Sequence, residues 1–198
     1  MKLYYSQTSP YARKVRIVSR LRGLASRIEE IETNPFTDTS LATQNPLAKI
    51  PTLVLGDGTA LYDSPVICEY LDSLGDGESL FPSGTDRWPA LRLAALADGL
   101  MDAVVALRME SLRPEDKRHA PFKTRTLAAV RRALGAINKD PALAATRTIG
   151  SIAVTCALGY LDLRLASENW RGAHTALERF YTAECEQPAV AATAHPVS

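Results

Sequence analysis

The chain has 198 residues, 46% hydrophobic and 23% charged, enough for one large folded domain or two small ones. Its 23 basic and 22 acidic residues leave a formal net charge of +1, which argues against bulk nucleic-acid binding and against an anionic membrane surface. No apolar run approaches the ~20 residues of a membrane span. Ser6, Gln7, Ser9, Arg13 and Lys14 interrupt what would be the apolar core of a secretion signal. Cys68, Cys156 and Cys185 are odd in number and widely spaced, with no Cys-x-x-Cys, so reduced thiols in the cytoplasm are expected rather than a disulfide frame. Cys68 and Cys156 sit among apolar residues and are expected to fill the core. His119, His174 and His195 are scattered through polar stretches, and no metal site is expected.

The first predicted elements are a strand, a turn and a helix. Leu3 to Tyr5 is rich in strand formers, and a polar turn follows. Ser9 suits the N-cap of the next helix and Pro10 its first turn, where no N–H is needed. Val15, Val18 and Leu21 then recur at helical spacing, with Arg13, Lys14, Arg16, Arg20 and Arg22 between them. A hydroxyl at the positive end of a helix dipole is a place to stabilise an anion such as a carboxylate or thiolate, although most such serines only cap.

Gly23 stops the helix, and Arg27 to Glu32 alternates weakly as a second strand. Thr33 to Gln44 is polar, with room for one short irregular helix. Pro51 stands just before a third strand, Thr52 to Leu55, where a missing N–H is tolerated. Only proline makes a cis peptide cheap, and a cis Ile50–Pro51 bond would aim the Ile50 main chain outward, toward an extended ligand. Gly56-Asp57-Gly58 reads as a hairpin turn into a fourth strand, Thr59 to Tyr62. Ser64 and Pro65 repeat the N-cap and first-turn pattern, before a helix with Val66, Ile67, Tyr70, Leu71 and Leu74 on one face. Asp63 adds a carboxylate there, so an ammonium and a carboxylate of one ligand could be held together. The order β-α-β-α-β-β-α predicts a mixed four-stranded sheet.

Residues 78–86 are Gly-, Ser- and Pro-rich and read as a linker between a first domain, 1–77, and a helical second, 87–198. Helices are expected over 87–112, 122–137, 149–165 and 173–185, with the apolar third one central and capped by Thr148. Arg108, Arg113, Arg131 and Arg132 read as a solvated helix face, and Trp88 and Trp170 as packing anchors.

This layout resembles the cytosolic glutathione S-transferase family, and local motifs agree. Asn45-Pro46-Leu47-Ala48-Lys49-Ile50-Pro51 is similar to the family's N-P-x-x-[KQ]-[VI]-P segment, which ends in a cis proline. Asp63-Ser64 and the helix through Tyr70-Leu71 are similar to its [ED]-S-x-x-I-x-x-Y-L segment. Leu80-Phe81-Pro82 resembles its interdomain L-x-P, and Thr148 to Ala153 its helix-6 capping box, with Ser151 in place of the usual Asp. The resemblance implies an α+β chain, a thioredoxin-like N-terminal domain followed by an all-α C-terminal domain. It implies that Ser9 hydrogen-bonds the glutathione sulfur and favours its thiolate. Ile50 would pair its main chain with the cysteinyl part, Asp63 and Ser64 would hold the γ-glutamyl end, and Lys49 would lie near the glycyl carboxylate. Asp98 would reach the partner subunit's γ-glutamyl amine in a homodimer. Tyr5 is the alternative sulfur partner, less well placed than Ser9. Ser9-Pro10-Tyr11-Ala12 lies where glutaredoxins carry Cys-Pro-Tyr-Cys, and both sulfurs are missing.

Two functional readings follow. One is a glutathione S-transferase that adds the thiolate to a small apolar electrophile bound near residues 100–113, or reduces a peroxide or disulfide from the same site. The other is a regulatory or non-catalytic binding protein on the same fold.

Overall fold

The computed structural model describes residues 1–143 and 146–196. In chain order its strands and helices are β1 (Lys2–Tyr5), α1 (Pro10–Leu21), β2 (Glu29–Glu32), α2 (Leu41–Gln44), β3 (Thr52–Val54), β4 (Ala60–Leu61) and α3 (Ser64–Leu74). Then follow α4 (Arg87–Ser111), α5 (Ala120–Ile137), α6 (Ile149–Arg164), α7 (Trp170–Ala173), α8 (Thr175–Cys185) and α9 (Pro188–Ala191). The chain forms two compact units. Met1–Phe81 and the returning segment Gln187–Pro196 make the first, and Pro82–Glu186 make the second.

In the first unit the sheet order is β2-β1-β3-β4. β1 runs parallel to β2, with Lys2 opposite Glu29 and Tyr5 opposite Glu32. It runs antiparallel to β3, with Tyr4 opposite Thr52, and β3 pairs antiparallel with β4 through Leu53 and Leu61. This is the mixed four-stranded sheet expected from the element order, in the thioredoxin-like arrangement that the resemblance implies. The β3–β4 turn is closed by the Asp57 carboxylate, which accepts the Thr59 N–H at 2.8 Å. That bond holds the Asp57 carboxyl below the usual carboxylate range.

α1 packs beside α3 and is also covered by α9. Leu3, Val15, Val18, Leu53, Ile67 and Leu71 are fully buried and fill this core. α1 buries more than the stripe its apolar residues mark. Arg13, Lys14 and Arg22 are only 3%, 1% and 7% exposed, whereas Leu21 is half-buried. The reason lies on both sides of the helix. Arg13 donates to the Val190 carbonyl in α9 at 3.5 Å. Arg22 donates to the carbonyls of Gly75 at 2.6 Å and Glu78 at 2.7 Å and pairs with the Asp72 carboxylate at 3.2 Å. A Cβ on Gly75 would sit 2.6 Å from the Arg22 Cβ, so glycine permits this approach. Asp72 also accepts the Leu80 N–H at 3.0 Å, so this buried charge pair is well supplied with hydrogen bonds.

In the second unit, every residue of α6 from Ile149 to Leu161 is buried, chiefly against α4. α4 contributes Ala90, Leu93, Ala97, Leu100, Val104 and Leu107 to that core, and α5 adds Val130, Leu134 and Ile137. Ser151 completes the reach-back half of the cap, accepting the Thr148 N–H at 3.0 Å, so the serine bridges a distance expected to suit aspartate better. Trp170 is an anchor. It donates to Asp162 at 2.8 Å and lies under the Arg171 guanidinium, 4.4 Å from its ring centre. Trp88 is not an anchor but 68% exposed, because it points off the α4 face that carries Ala90, Leu93 and Ala97. Cys68 and Cys156 are buried in the core, as expected, and form no disulfide. Among the described residues no single helix is long and apolar enough to cross a membrane.

Gly150 lets α6 approach α4 closely, since a Cβ there would lie 2.7 Å from the Ala90 carbonyl oxygen and 3.0 Å from the Leu93 Cβ. Gly150→Ala is expected to destabilise the chain by about 1–3 kcal/mol through overpacking, read as a lower denaturant midpoint with unchanged slope.

Candidate active site

The strand register gathers one end of the sheet. Tyr4 faces Thr52 and Leu53 faces Leu61, so the chain leaving β1, entering β3 and leaving β4 all lies at that end. Those three stretches carry Ser9, Ile50–Pro51 and Asp63–Ser64. The parallel β1–β2 pair brings Glu32 and Thr33 to the same end, where the Thr33 N–H donates to the Tyr5 carbonyl at 2.7 Å.

Ser9 has extended backbone, and its Oγ accepts the Ala12 N–H at 3.2 Å. The cap uses a lone pair of the oxygen and leaves the O–H proton to donate elsewhere. Pro10 follows at the first helical position, and the N-terminus of the twelve-residue α1 adds its positive dipole end. A half-buried hydroxyl so placed suits an anionic acceptor of its proton. Tyr5 is differently situated. Its ring is 9% exposed and packed against the Arg16 guanidinium, 4.5 Å from the ring centre, while Arg16 pairs with Glu30 at 2.8 Å.

The Ile50–Pro51 bond is cis. The loop before it is braced by Asn45, a residue whose motif the sequence displays but whose task it does not reveal. The buried Asn45 amide donates to the Lys49 carbonyl at 3.1 Å and to Thr52 Oγ1 at 3.0 Å, and its oxygen accepts the Leu47 N–H at 3.0 Å. Thr52 in turn donates to the Lys49 carbonyl at 2.8 Å. Ile50 is left half-buried and Lys49 exposed. The one available signal was an Asn-Pro pair ahead of a strand, where asparagine side chains bond the main chain two residues on.

At α3 the cap differs by one residue from expectation. Asp63 occupies the N-cap position, and Ser64 is the first helical residue, buried, with Pro65 second. The Tyr62–Asp63 bond is also cis. The exposed Asp63 carboxylate makes no cap hydrogen bond, so it stands beside the α3 N-terminus as a counter-charge for a cation. Asp98 belongs to the second unit, half-buried on α4. Among the described residues there is no group of three or more His, Cys, Asp or Glu placed to hold a metal. The site therefore offers a hydroxyl on one helix N-terminus, a carboxylate on another, and main chain beside a cis proline between them. That arrangement can hold a zwitterionic, extended ligand and an anion at one end of it.

The comparisons with known proteins point the same way. The family described as "Glutathione S-transferase, N-terminal domain" matches residues 8–74. The uncharacterized GST-like protein YibF of Escherichia coli K12 is 34% identical over 183 residues, 86% of each chain. A glutathione transferase family member from Pseudomonas fluorescens Pf-5, solved with bound glutathione, superposes with a TM-score of 0.94 at 40% identity over 99% of each chain. A second structure of a family member from that organism holds S-(propanoic acid)-glutathione, with a TM-score of 0.91 at 39% identity over the whole of both chains. The chain belongs to the glutathione S-transferase family.

Asn45→Ala removes two donors and an acceptor at a buried position that braces the loop. It is expected to cost about 1–3 kcal/mol, measured as a lower thermal midpoint.

Proposed function

We propose that this chain is a glutathione transferase whose residues 1–77 carry the glutathione site. The observation that carries the reading is the gathering of Ser9, the cis Ile50–Pro51 bond and Asp63–Ser64 at one end of the sheet. The glutathione-bound relative from Pseudomonas fluorescens supports it, because it shares 40% of the sequence over 99% of the chain.

In this reading the ligand lies across the sheet end. The γ-glutamyl group has an ammonium and a carboxylate. Asp63 takes the ammonium, while Ser64 and the α3 N-terminus take the carboxylate. The cysteinyl main chain pairs with that of Ile50, as an added strand pairs with an exposed edge. Lys49 faces the glycyl carboxylate, and Asp98 of a partner subunit adds a second carboxylate for the ammonium in a homodimer. Ser9 donates its O–H to the sulfur. This bond and the α1 dipole both favour S⁻ over SH, so the thiol loses its proton at lower pH. The thiolate then attacks the electrophilic carbon of a small, mostly apolar acceptor, forming the carbon–sulfur bond as the acceptor's leaving group or π-electron pair departs. The protein would do this in the cytoplasm.

Two variants test the assignment. Calorimetry is expected to find micromolar to millimolar glutathione binding to the wild type and loss of at least tenfold in Asp63→Ala. An unchanged affinity in that variant would overturn the γ-glutamyl assignment. Ser9→Ala is expected to bind glutathione within a few-fold of wild type but to lose about 10–100-fold in turnover, the worth of one hydrogen bond to a charged group. Because Ser9 favours the charged form, its removal raises the thiol's ionisation point, and the acid limb of the rate–pH profile moves to higher pH. The lost cap also costs about 1 kcal/mol of stability.

A further inference from the structure

We infer that the returning C-terminal segment is part of the Ser9 site, with His195 as the positioning residue that fixes the turn before α1. This rests on the proposed role of Ser9.

The turn from Ser6 to Ser9 is short and closed by the Ser9 N–H donating to the Ser6 carbonyl at 3.1 Å. Gln7, inside it, is held at both of its ends. Its side-chain amide donates to the Glu32 carboxylate at 3.2 Å, which ties the turn to the end of β2. Its main-chain carbonyl lies 2.9 Å from His195 Nδ1. A carbonyl only accepts, so this contact assigns the proton to Nδ1.

His195 is delivered there by packing. α9 lies on α1, with Val190 buried and its carbonyl accepting from Arg13 at 3.5 Å. Thr193 is buried, and its hydroxyl bonds back to the carbonyls of Ala189 and Val190, each at 3.0 Å, which fixes the chain direction after the helix. Segment 187–196 therefore belongs to the first unit, although more than a hundred residues of the second separate it from α3 in sequence. Gln7 is two residues from Ser9. With its carbonyl and side chain both anchored, the peptide planes that set the Ser9 Oγ direction have little freedom. The Ser9 hydroxyl then meets the thiolate already oriented, and binding costs less ordering of the turn.

The test compares His195→Ala with His195→Asn, whose side-chain amide can replace the Nδ1–H. On ligand-free protein, amide exchange across Ser6 to Ala12 is expected to speed up in His195→Ala and to return to wild-type rates in His195→Asn. On the bound protein, His195→Ala is expected to weaken glutathione binding about threefold to tenfold, the range of one neutral hydrogen bond, and to raise the pH at which the ultraviolet thiolate band of bound glutathione appears. The asparagine variant should restore both. Unchanged exchange in His195→Ala would overturn the inference, and so would faster exchange without any change in the thiolate band. Wild type that takes up no glutathione would defeat the transferase reading instead. The exchange rates of the free protein would then still decide whether His195 holds the turn.

Discussion

The registration of β1 between a parallel and an antiparallel neighbour is the constraint on which the rest depends. Parallel pairing with β2 needs a crossover, which α1 supplies, and antiparallel pairing with β3 turns the following strand back. With that alternation the segments after β1, before β3 and after β4 must meet at one end. Slipping β3 by a single residue would turn Leu53 out of the core and displace Ile50 and Pro51. Which strands are parallel thus decides where the candidate site lies, and the connecting segments supply its side chains.

Around that frame, polar side chains fix the main chain where the sheet does not. Asn45 and Thr52 hold the approach to Pro51, Arg22 and Asp72 tie the ends of α1 and α3, and Gln7 is held by Glu32 and His195. Each is a side chain bonded chiefly to carbonyls or amides of a loop that lacks ladder partners. Buried main-chain groups require such partners, and a loop shaped to receive a ligand's main chain cannot use all of its own groups internally. In the proposed reading a peptide-like ligand meets the Ile50 main chain, the Ser9 hydroxyl and the α3 N-terminus, whereas the Ser9 main-chain N–H and carbonyl are already bonded to Ser6 and Arg13.

The helical unit rests on a different balance. α6 is apolar all round, so it can only be central, and Gly150 sets how near α4 approaches. Ser151 shows that a residue shorter than the usual carboxylate still closes the cap when the backbone is well placed, at 3.0 Å.

Much of this was legible in the chain itself. Local chemistry determined the strand–turn–helix openings, because Ser-Pro at a helix start, Gly-Asp-Gly in a hairpin and a proline before a strand each act within a few residues. The continuous apolar character of residues 149–161, with no polar face, determined which helix is central. Tertiary structure decided what depends on contacts between distant segments. Arg13, Lys14 and Arg22 look like solvent-facing cations from their spacing, yet all three are buried, Arg13 beside α9 and Arg22 against Asp72, Gly75 and Glu78. Trp88 looks like an anchor, yet the face of α4 that meets α6 lies elsewhere. The Pro- and Ala-rich tail carries no periodic signal, and only its packing on α1 brings His195 to Gln7, 188 residues away in sequence. Propensity and hydrophobic period act over a few residues, whereas burial and hydrogen-bond partnership are settled by whichever segments the fold brings together.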